Sequence, residues 1–397
     1  MKVLQVGLSG FPQGTAAVNR CIAINKMLVN NGIDVLVINR SAVHENKSGV
    51  NVESVGVIDG VRYQYTTPTP YRQGSFVVRR WYKFIGRLNE AILLIKYKKN
   101  RKVDLLIYYP NGNFLDLLYY RMISFIIGAP LVTHYVEYRS AHNSRDSQLL
   151  KLNDKIFDNY FHLFVDGVIP ISIFLENQLI RKKCGSPMIR IPSVFDYSSN
   201  TIKNMSKLIE TNPYFLYCGS IGYKNAIRLI INSFAGLKDN CYDLYLVLNG
   251  NGYFYNEINQ LLEKLLIKDR VKIYSGVDYN VLLNFYKNAE ALLIPLEDNV
   301  RDIARVPQKI SEYLASGSPI ITNNVGDVKY YFTDQDNALI AISFTEDDYR
   351  RKMQFVIDNH QESKEIGLKG YEIGLNHFSI SSYSEQFSLF VRNLINK

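Results

Sequence analysis

Residues 306–326 read Val-Pro-Gln-Lys-Ile-Ser-Glu-Tyr-Leu-Ala-Ser-Gly-Ser-Pro-Ile-Ile-Thr-Asn-Asn-Val-Gly, an order that admits few local structures. Pro307 suits the first turn of a helix, Ser316-Gly317 its end, and Pro319–Thr322 a short buried strand. The result is a helix-turn-strand unit. Ile310, Tyr313, Leu314 and Gly317 then share one helical face, leaving Lys309, Glu312 and Ser316 as a polar stripe. On a surface helix, Lys309 and Glu312 would be a solvated pair contributing roughly 0.2–0.5 kcal/mol.

The same alternation runs along the rest of the chain. Residues 2–8 form an apolar strand, residues 9–14 a loop, Thr15 to Asn31 a helix capped by Gly32, and Ile33–Asn39 a second strand. The glycines at 7, 10 and 14 follow G-x-x-G-x-x-x-G, which differs from the G-x-G-x-x-G of dinucleotide sites. Backbone N–H groups at such a helix start receive an anionic or hydroxyl-rich ligand. Strand-like runs at 51–57 and 61–66 precede a long helix at Phe76–Lys99. A strand at 103–109, a helix at Phe114–Ile127 and a strand at 130–136 follow. His134 and Glu137 thereby sit near a strand's carboxyl end, where open parallel sheets bind ligands. Residues 166–172 give a strand and the N-cap Ser172, with a helix running to Lys183.

From Tyr197 to Asn212 the composition turns polar, as in a linker. Tyr214–Cys218 opens a second βα series whose loop, Gly219 to Lys224, leads into a helix. A Lys and backbone donors at a helix start suit a diphosphate. Strands at 244–248, 271–274 and 289–295 are followed by loops at 249–252, 275–277 and 296–305. Three helical stretches end the chain. The expected division is 1–195, a linker at 196–212, 213–378, and a final helix at 379–397 that returns to the first domain.

A chain of 397 residues, 47% hydrophobic and 21% charged, is globular and long enough for two or three cores. No run approaches the roughly 20 apolar residues of a bilayer span. The start leads straight into a Gly loop and reads as a core strand, not a signal peptide, so a cytoplasmic protein is expected. Cys21, Cys184, Cys218 and Cys241 lack C-x-x-C spacing, which argues against a zinc site and a disulfide framework. Residues 1–195 carry 25 Lys and Arg against 13 Asp and Glu, and the remainder 21 against 24. The basic first half therefore points to an anionic partner. No zinc-finger or RNP-type motif supports nucleic acid.

Within Phe76–Lys99, the apolar residues Trp81, Phe84, Ile85, Leu88, Ile92 and Ile95 form a stripe, and Arg79, Arg80, Lys83 and Arg87 lie largely away from it. One reading is a crossover helix packed on a sheet with a solvated basic face. The other is that Phe76–Lys102, ending in Lys98, Lys99, Arg101 and Lys102, docks on an anionic membrane surface, each cation contributing about 1 kcal/mol.

The order P-x-K-x-x-E-Y-L-A-x-G-x-P-I-I resembles the nucleotide-sugar-binding segment of retaining glycosyltransferases of the GT4 type (glycosyl transferases group 1). Arg190 to Asp196 resembles the I-P-N-G-V-D segment closing that family's first domain, with Ser193 and Val194 in place of Asn and Gly. The resemblance implies a GT-B fold: two Rossmann-like α/β domains with parallel sheets facing an interdomain cleft. It implies Glu312 on the donor ribose and Lys224 and Lys309 on the diphosphate. It also implies Gly219, Ser220 and Gly222 in the phosphate loop and Gly276 at the base. His134 would approach the transferred sugar or its phosphate, with Gly14 and Glu137 on the acceptor side. The family's G-R-x(n)-K-G has Ser220 where Arg is common, and Arg301 or Arg305 would compensate. Its E-x7-E pattern has Ala304 at the first Glu, leaving the sugar hydroxyls to Asp302 or backbone groups.

The implied reaction moves a sugar from a UDP- or GDP-sugar to a glycan or lipid-linked acceptor in bacterial surface polysaccharide synthesis. It needs no metal and no cofactor beyond the nucleotide sugar as co-substrate. The leaving phosphate would take the acceptor proton, with charge stabilisation as the main catalytic contribution. The rivals are a catalytically silent GT-B partner subunit and a nucleotide-sugar epimerase on the same fold. A dehydrogenase is weakened by the glycine spacing.

Overall fold

The computed structural model describes residues 1–14, 16–45, 52–99, 103–141, 147–198, 212–250 and 252–396. The sequence expectations for Thr15, Asn51, Arg101, Lys102, most of the linker (199–211) and Asn251 lie outside these residues.

Two units are present, each built on its own sheet. Met1–Val194, Ala304–Gln308 and Ile380–Lys397 form the first, and Phe195–Ile303 with Lys309–Ser379 the second. The pentapeptide Ala304–Gln308, which the sequence reading leaves in the second domain, thus clusters with the first unit. Ser172 caps the helix Ile173–Arg181 and also donates from its hydroxyl to the carbonyl of Ala304 at 2.7 Å. Ser193 does the same to Val306 at 2.8 Å.

In the first unit, β1 (Lys2–Val6), β2 (Asp34–Asn39), β3 (Val55–Ile58), β4 (Val61–Tyr65), β5 (Leu105–Tyr108), β6 (Leu131–Tyr135) and β7 (Gly167–Pro170) form one sheet. Its order is β3-β4-β2-β1-β5-β6-β7, and only β3 runs antiparallel, to β4. Continuous apolar runs such as Leu105–Tyr108, buried throughout, belong to strands covered on both faces. The helix Phe114–Ile127 begins where the Asn113 side chain accepts from the Leu115 N–H and ends at Gly128 with φ +71°. The helix Gln148–Tyr160 has no counterpart in the sequence reading.

The second unit contains β8 (Tyr214–Ser220), β9 (Asp243–Asn249), β10 (Val271–Tyr274), β11 (Ala291–Ile294), β12 (Ile320–Asn323) and β13 (Leu339–Ala341), all parallel. The order β10-β9-β8-β11-β12-β13 reverses direction between β8 and β11, as the first sheet does between β1 and β5. These switch points are where open α/β sheets leave a crevice at the strands' carboxyl ends. Strand β8 runs two residues beyond the expected Cys218: Gly219 and Ser220 still pair with Leu248 and Asn249.

The helix Phe76–Lys99 spans the expected residues but packs the other way round. Its apolar stripe lies outside, whereas Gly86, Glu90 and Leu94, at four-residue spacing, are buried. Gly86 permits the approach, since a Cβ there would stand 2.4 Å from the Arg40 carbonyl oxygen. Its own carbonyl accepts from the Thr66 hydroxyl at 2.8 Å, and Asn89 donates to the Thr66 carbonyl at 2.9 Å. Glu90 lies 3.7 Å from Arg40 and accepts from Tyr120 at 2.9 Å. Burial, against the Arg40 charge, pushes its carboxyl up to about 7. Arg87, expected on a solvated face, pairs with Asp116 at 2.6 Å. A row of Gly and Glu carries no apolar periodicity, so the packing face was hidden from a hydrophobicity pattern.

Candidate functional site

The helix Lys309–Ser316 is buried from Ile310 to Ser316, Glu312 and Ser316 of the polar stripe included, while Lys309 is half-buried. Glu312 is 4% exposed, which excludes a solvated surface pair. Gly317 adopts φ +75°, and the helix His360–His377 packs alongside through Gly367, where a Cβ would meet the Gly317 oxygen at 2.4 Å. From this fixed helix the two charged side chains reach in different directions. Lys309 Nζ donates to the Cys218 carbonyl at 2.8 Å and stands 4.0 Å from the Tyr217 ring centroid. Glu312 accepts from the Tyr279 hydroxyl at 3.1 Å. A cation is thus held at the carboxyl end of β8 and a carboxylate beside the loop after β10, at the edge where ligands bind.

The segment after β8 is shaped for close approach. Gly219 has no room for a side chain, because its Cβ would meet the Tyr217 hydroxyl at 2.6 Å. Ser220 Oγ accepts from the Gly222 N–H at 3.2 Å, closing the turn. Lys224 opens the helix Lys224–Ala235, lies 3.4 Å from Glu257 and faces the Phe254 ring at 4.9 Å. Arg301, in the short helix Val300–Ala304 that follows β11, places its guanidinium 5.1 Å from the Tyr223 ring centroid. A cation from the β11 side of the switch point therefore covers the loop that carries Ser220 where the resembled motif has Arg.

Asp302 is 3% exposed; its carboxylate accepts from the Glu297 N–H at 2.9 Å and from Arg301 at 3.2 Å. In this arrangement it braces its own loop. Gly276 is exposed at φ +63°, three residues before Tyr279. Arg305 and the buried Ala304 fall in the first unit.

Also in the first unit, His134 is the fourth residue of β6 and fully buried, 5.1 Å from the Tyr109 ring. Neither ring nitrogen has a hydrogen-bond partner among the described residues. Burial, and then the Arg20 charge, hold the imidazole well below its usual value, so it is neutral. Arg20 is itself buried and donates to the carbonyls of Pro192 and Ile191 at 2.6 and 2.8 Å; burial brings it down to about 10. Glu137 is exposed, 4.0 Å from Arg139. Gly14 lies in the loop after β1, where a Cβ would come within 3.2 Å of the Gly10 oxygen.

The structure thus joins Lys309 to the end of β8, Glu312 to the loop after β10, and Arg301 to the Lys224 loop. Tyr217, Tyr223, Tyr279 and Glu257, which hold these groups, were missed from sequence. Only Tyr217 carried a signal, its period-two spacing to Gly219. Among the described residues, no group of three or more His, Cys, Asp or Glu is placed to hold a metal ion.

Residues 198–373 match the profile of the family described as Glycosyl transferases group 1. No curated protein sequence matches the chain significantly. Among solved structures, sucrose-phosphate synthase from Thermosynechococcus elongatus superposes with a TM-score of 0.77 at 14% identity, covering 100% of this chain and 99% of that one. HepE from Anabaena, in complex with UDP and glucose, gives a TM-score of 0.69 at 16% identity over 99% and 100% of the two chains. WaaG, a glycosyltransferase involved in lipopolysaccharide biosynthesis, gives 0.61 at 14% over 98% and 99%. The chain has the GT-B fold of these structures, and its residues 198–373 match the glycosyl transferases group 1 family model.

Proposed function

We propose that this chain is a GT4-type retaining transferase that moves a sugar from a UDP- or GDP-sugar to a glycan or lipid-linked acceptor in bacterial surface polysaccharide synthesis, at the inner face of the cytoplasmic membrane. The observation that carries the reading is the divergence of Lys309 and Glu312 from one buried helix to the ends of β8 and β10. Glu312 binds the ribose hydroxyls, while Lys309, Lys224 and Arg301 face the diphosphate. The bond from the sugar's anomeric carbon to the diphosphate breaks and one to the acceptor oxygen forms. The acceptor's proton passes to the leaving phosphate oxygen. Cations fixed in place stabilise the charge developing there without reorganising, and the step uses no metal or cofactor.

His134 is assigned to the transferred sugar or its phosphate, and Gly14 and Glu137 to the acceptor side. The two ring nitrogens of His134, without hydrogen-bond partners among the described residues, support a polar ligand at that position, since leaving such groups unpaired costs about 1–3 kcal/mol. Complexes of HepE with UDP and UDP-glucose support the donor class. The test is a panel of UDP- and GDP-sugars with product analysis. A glycoside with retained anomeric configuration from one donor is expected. Consumption of donor without a glycoside would indicate the epimerase, and binding of no donor the silent subunit.

A further inference from the structure

The outward side of the Phe76–Lys99 helix carries an apolar row from Val77 to Ile95. Val77, Trp81, Phe84, Leu88, Ile92 and Ile95 are 38–73% exposed and recur at intervals of four, three, four, four and three residues, forming one row roughly 27 Å long. Trp81 and Phe84 stack at 5.8 Å. Isolated exposed apolar residues need no explanation, but a continuous row of this size marks an interaction site. The helix sequence holds seven cations and one carboxylate, and that carboxylate, Glu90, is buried on the opposite side.

Beside the start of the row lies a cleft of about 330 Å³ whose lining includes Arg72, Arg79, Arg80 and Lys83 and, among the described residues, no carboxylate. Arg79 is held by the carbonyls of Gln73 and Gly74 at 3.3 and 2.9 Å, and Arg80 stands 5.2 Å from the Phe76 ring. Four cations around one cleft repel each other unless an anion lies among them. An apolar row edged by a cationic cleft matches a surface that is hydrocarbon inside and phosphate outside.

We propose that this face lies in the interface of an anionic phospholipid bilayer, with the apolar row among the acyl chains and the cleft around a lipid phosphate. Among the described residues no helix is long and apolar enough to cross a membrane; this one lies in the plane. The proposal extends the acceptor assignment above without depending on it, because the test contains no nucleotide sugar.

Trp81 is the only tryptophan, so its emission reports the event directly. The full chain is titrated with phosphatidylcholine vesicles containing phosphatidylglycerol, with pure phosphatidylcholine vesicles, and with inorganic phosphate. The expected result is a blue shift and quenching by brominated lipid with the anionic vesicles, weakened by salt. Phe84→Asp with Leu88→Asp lowers partitioning on the order of 100-fold. Arg80→Gln with Lys83→Gln lowers it about 25-fold. These residues are exposed, and circular dichroism confirms that the variants fold. Unchanged Trp81 emission with every vesicle overturns the proposal. So does equal binding to neutral vesicles, phosphate binding without vesicle binding, or a concentration-dependent dimer that the Phe84→Asp change dissolves.

Discussion

The helix Lys309–Ser316 turns polar side chains inward within its unit, and the helix Phe76–Lys99 turns apolar ones outward within the other. The first buries Glu312 and Ser316 and half-buries Lys309, and the second exposes an apolar stripe. In each case the neighbours decide. Glu312 can be buried because Tyr279 supplies a hydroxyl to it, and Lys309 can be half-buried because the Cys218 carbonyl accepts from it. The Phe76–Lys99 helix turns its apolar row outward because Gly86, Asn89 and Glu90 fit the Arg40 and Thr66 backbone and side chains better. Hydrophobic periodicity identifies a helix and its faces; partners for polar groups and room for close approach decide which face goes in. The inward polar stripe suits a small ligand and the outward apolar row a larger surface.

The contrast breaks first in the core. Leu314→Ala, on the buried helix, is expected to lower unfolding free energy by about 2–5 kcal/mol, measured by urea denaturation. Gly86→Ala pushes a Cβ against the Arg40 oxygen at 2.4 Å and should cost about 1–3 kcal/mol, although it lies on the helix whose apolar row is outside. The same experiment on Leu88→Ala should change stability by no more than about 0.5 kcal/mol. Equal losses at Leu314 and Leu88 would show that the exposed row is packed after all.

A pH series sharpens the comparison between polar groups that are buried with partners and those buried without. The folded-state value of His134 lies below the usual 6.5, so the unfolded chain binds more protons. Its effect on stability is absent above about 6.5 and grows as pH falls toward the folded-state value, by up to about 1.4 kcal/mol per pH unit. The acid limb of wild type should therefore fall more steeply below pH 6.5 than that of His134→Leu, in parallel urea titrations.

Much of the architecture was legible because parallel strands buried on both faces are written as unbroken apolar runs and glycines mark where they turn. Phe114–Ile127 and Phe76–Lys99 emerge with the expected bounds. Of the candidate site, the common helix of Lys309 and Glu312 was legible from their spacing. Their partners were not, since Tyr217 and Tyr279 contribute through folds of the chain that bring distant strands together. Asp302 was read as a candidate for the sugar hydroxyls, and its acceptance from the Glu297 N–H is a local bond with no sequence signature.

Glu312 is the most direct test. Calorimetric titration of the donor identified by the panel into wild type and Glu312→Ala, with folding of both checked by thermal denaturation, measures what this carboxylate does. If it holds the ribose hydroxyls, affinity should fall by about 1.5–3 kcal/mol, roughly 10- to 150-fold. An unchanged affinity in a folded variant would remove Glu312 from the site and contradict the account.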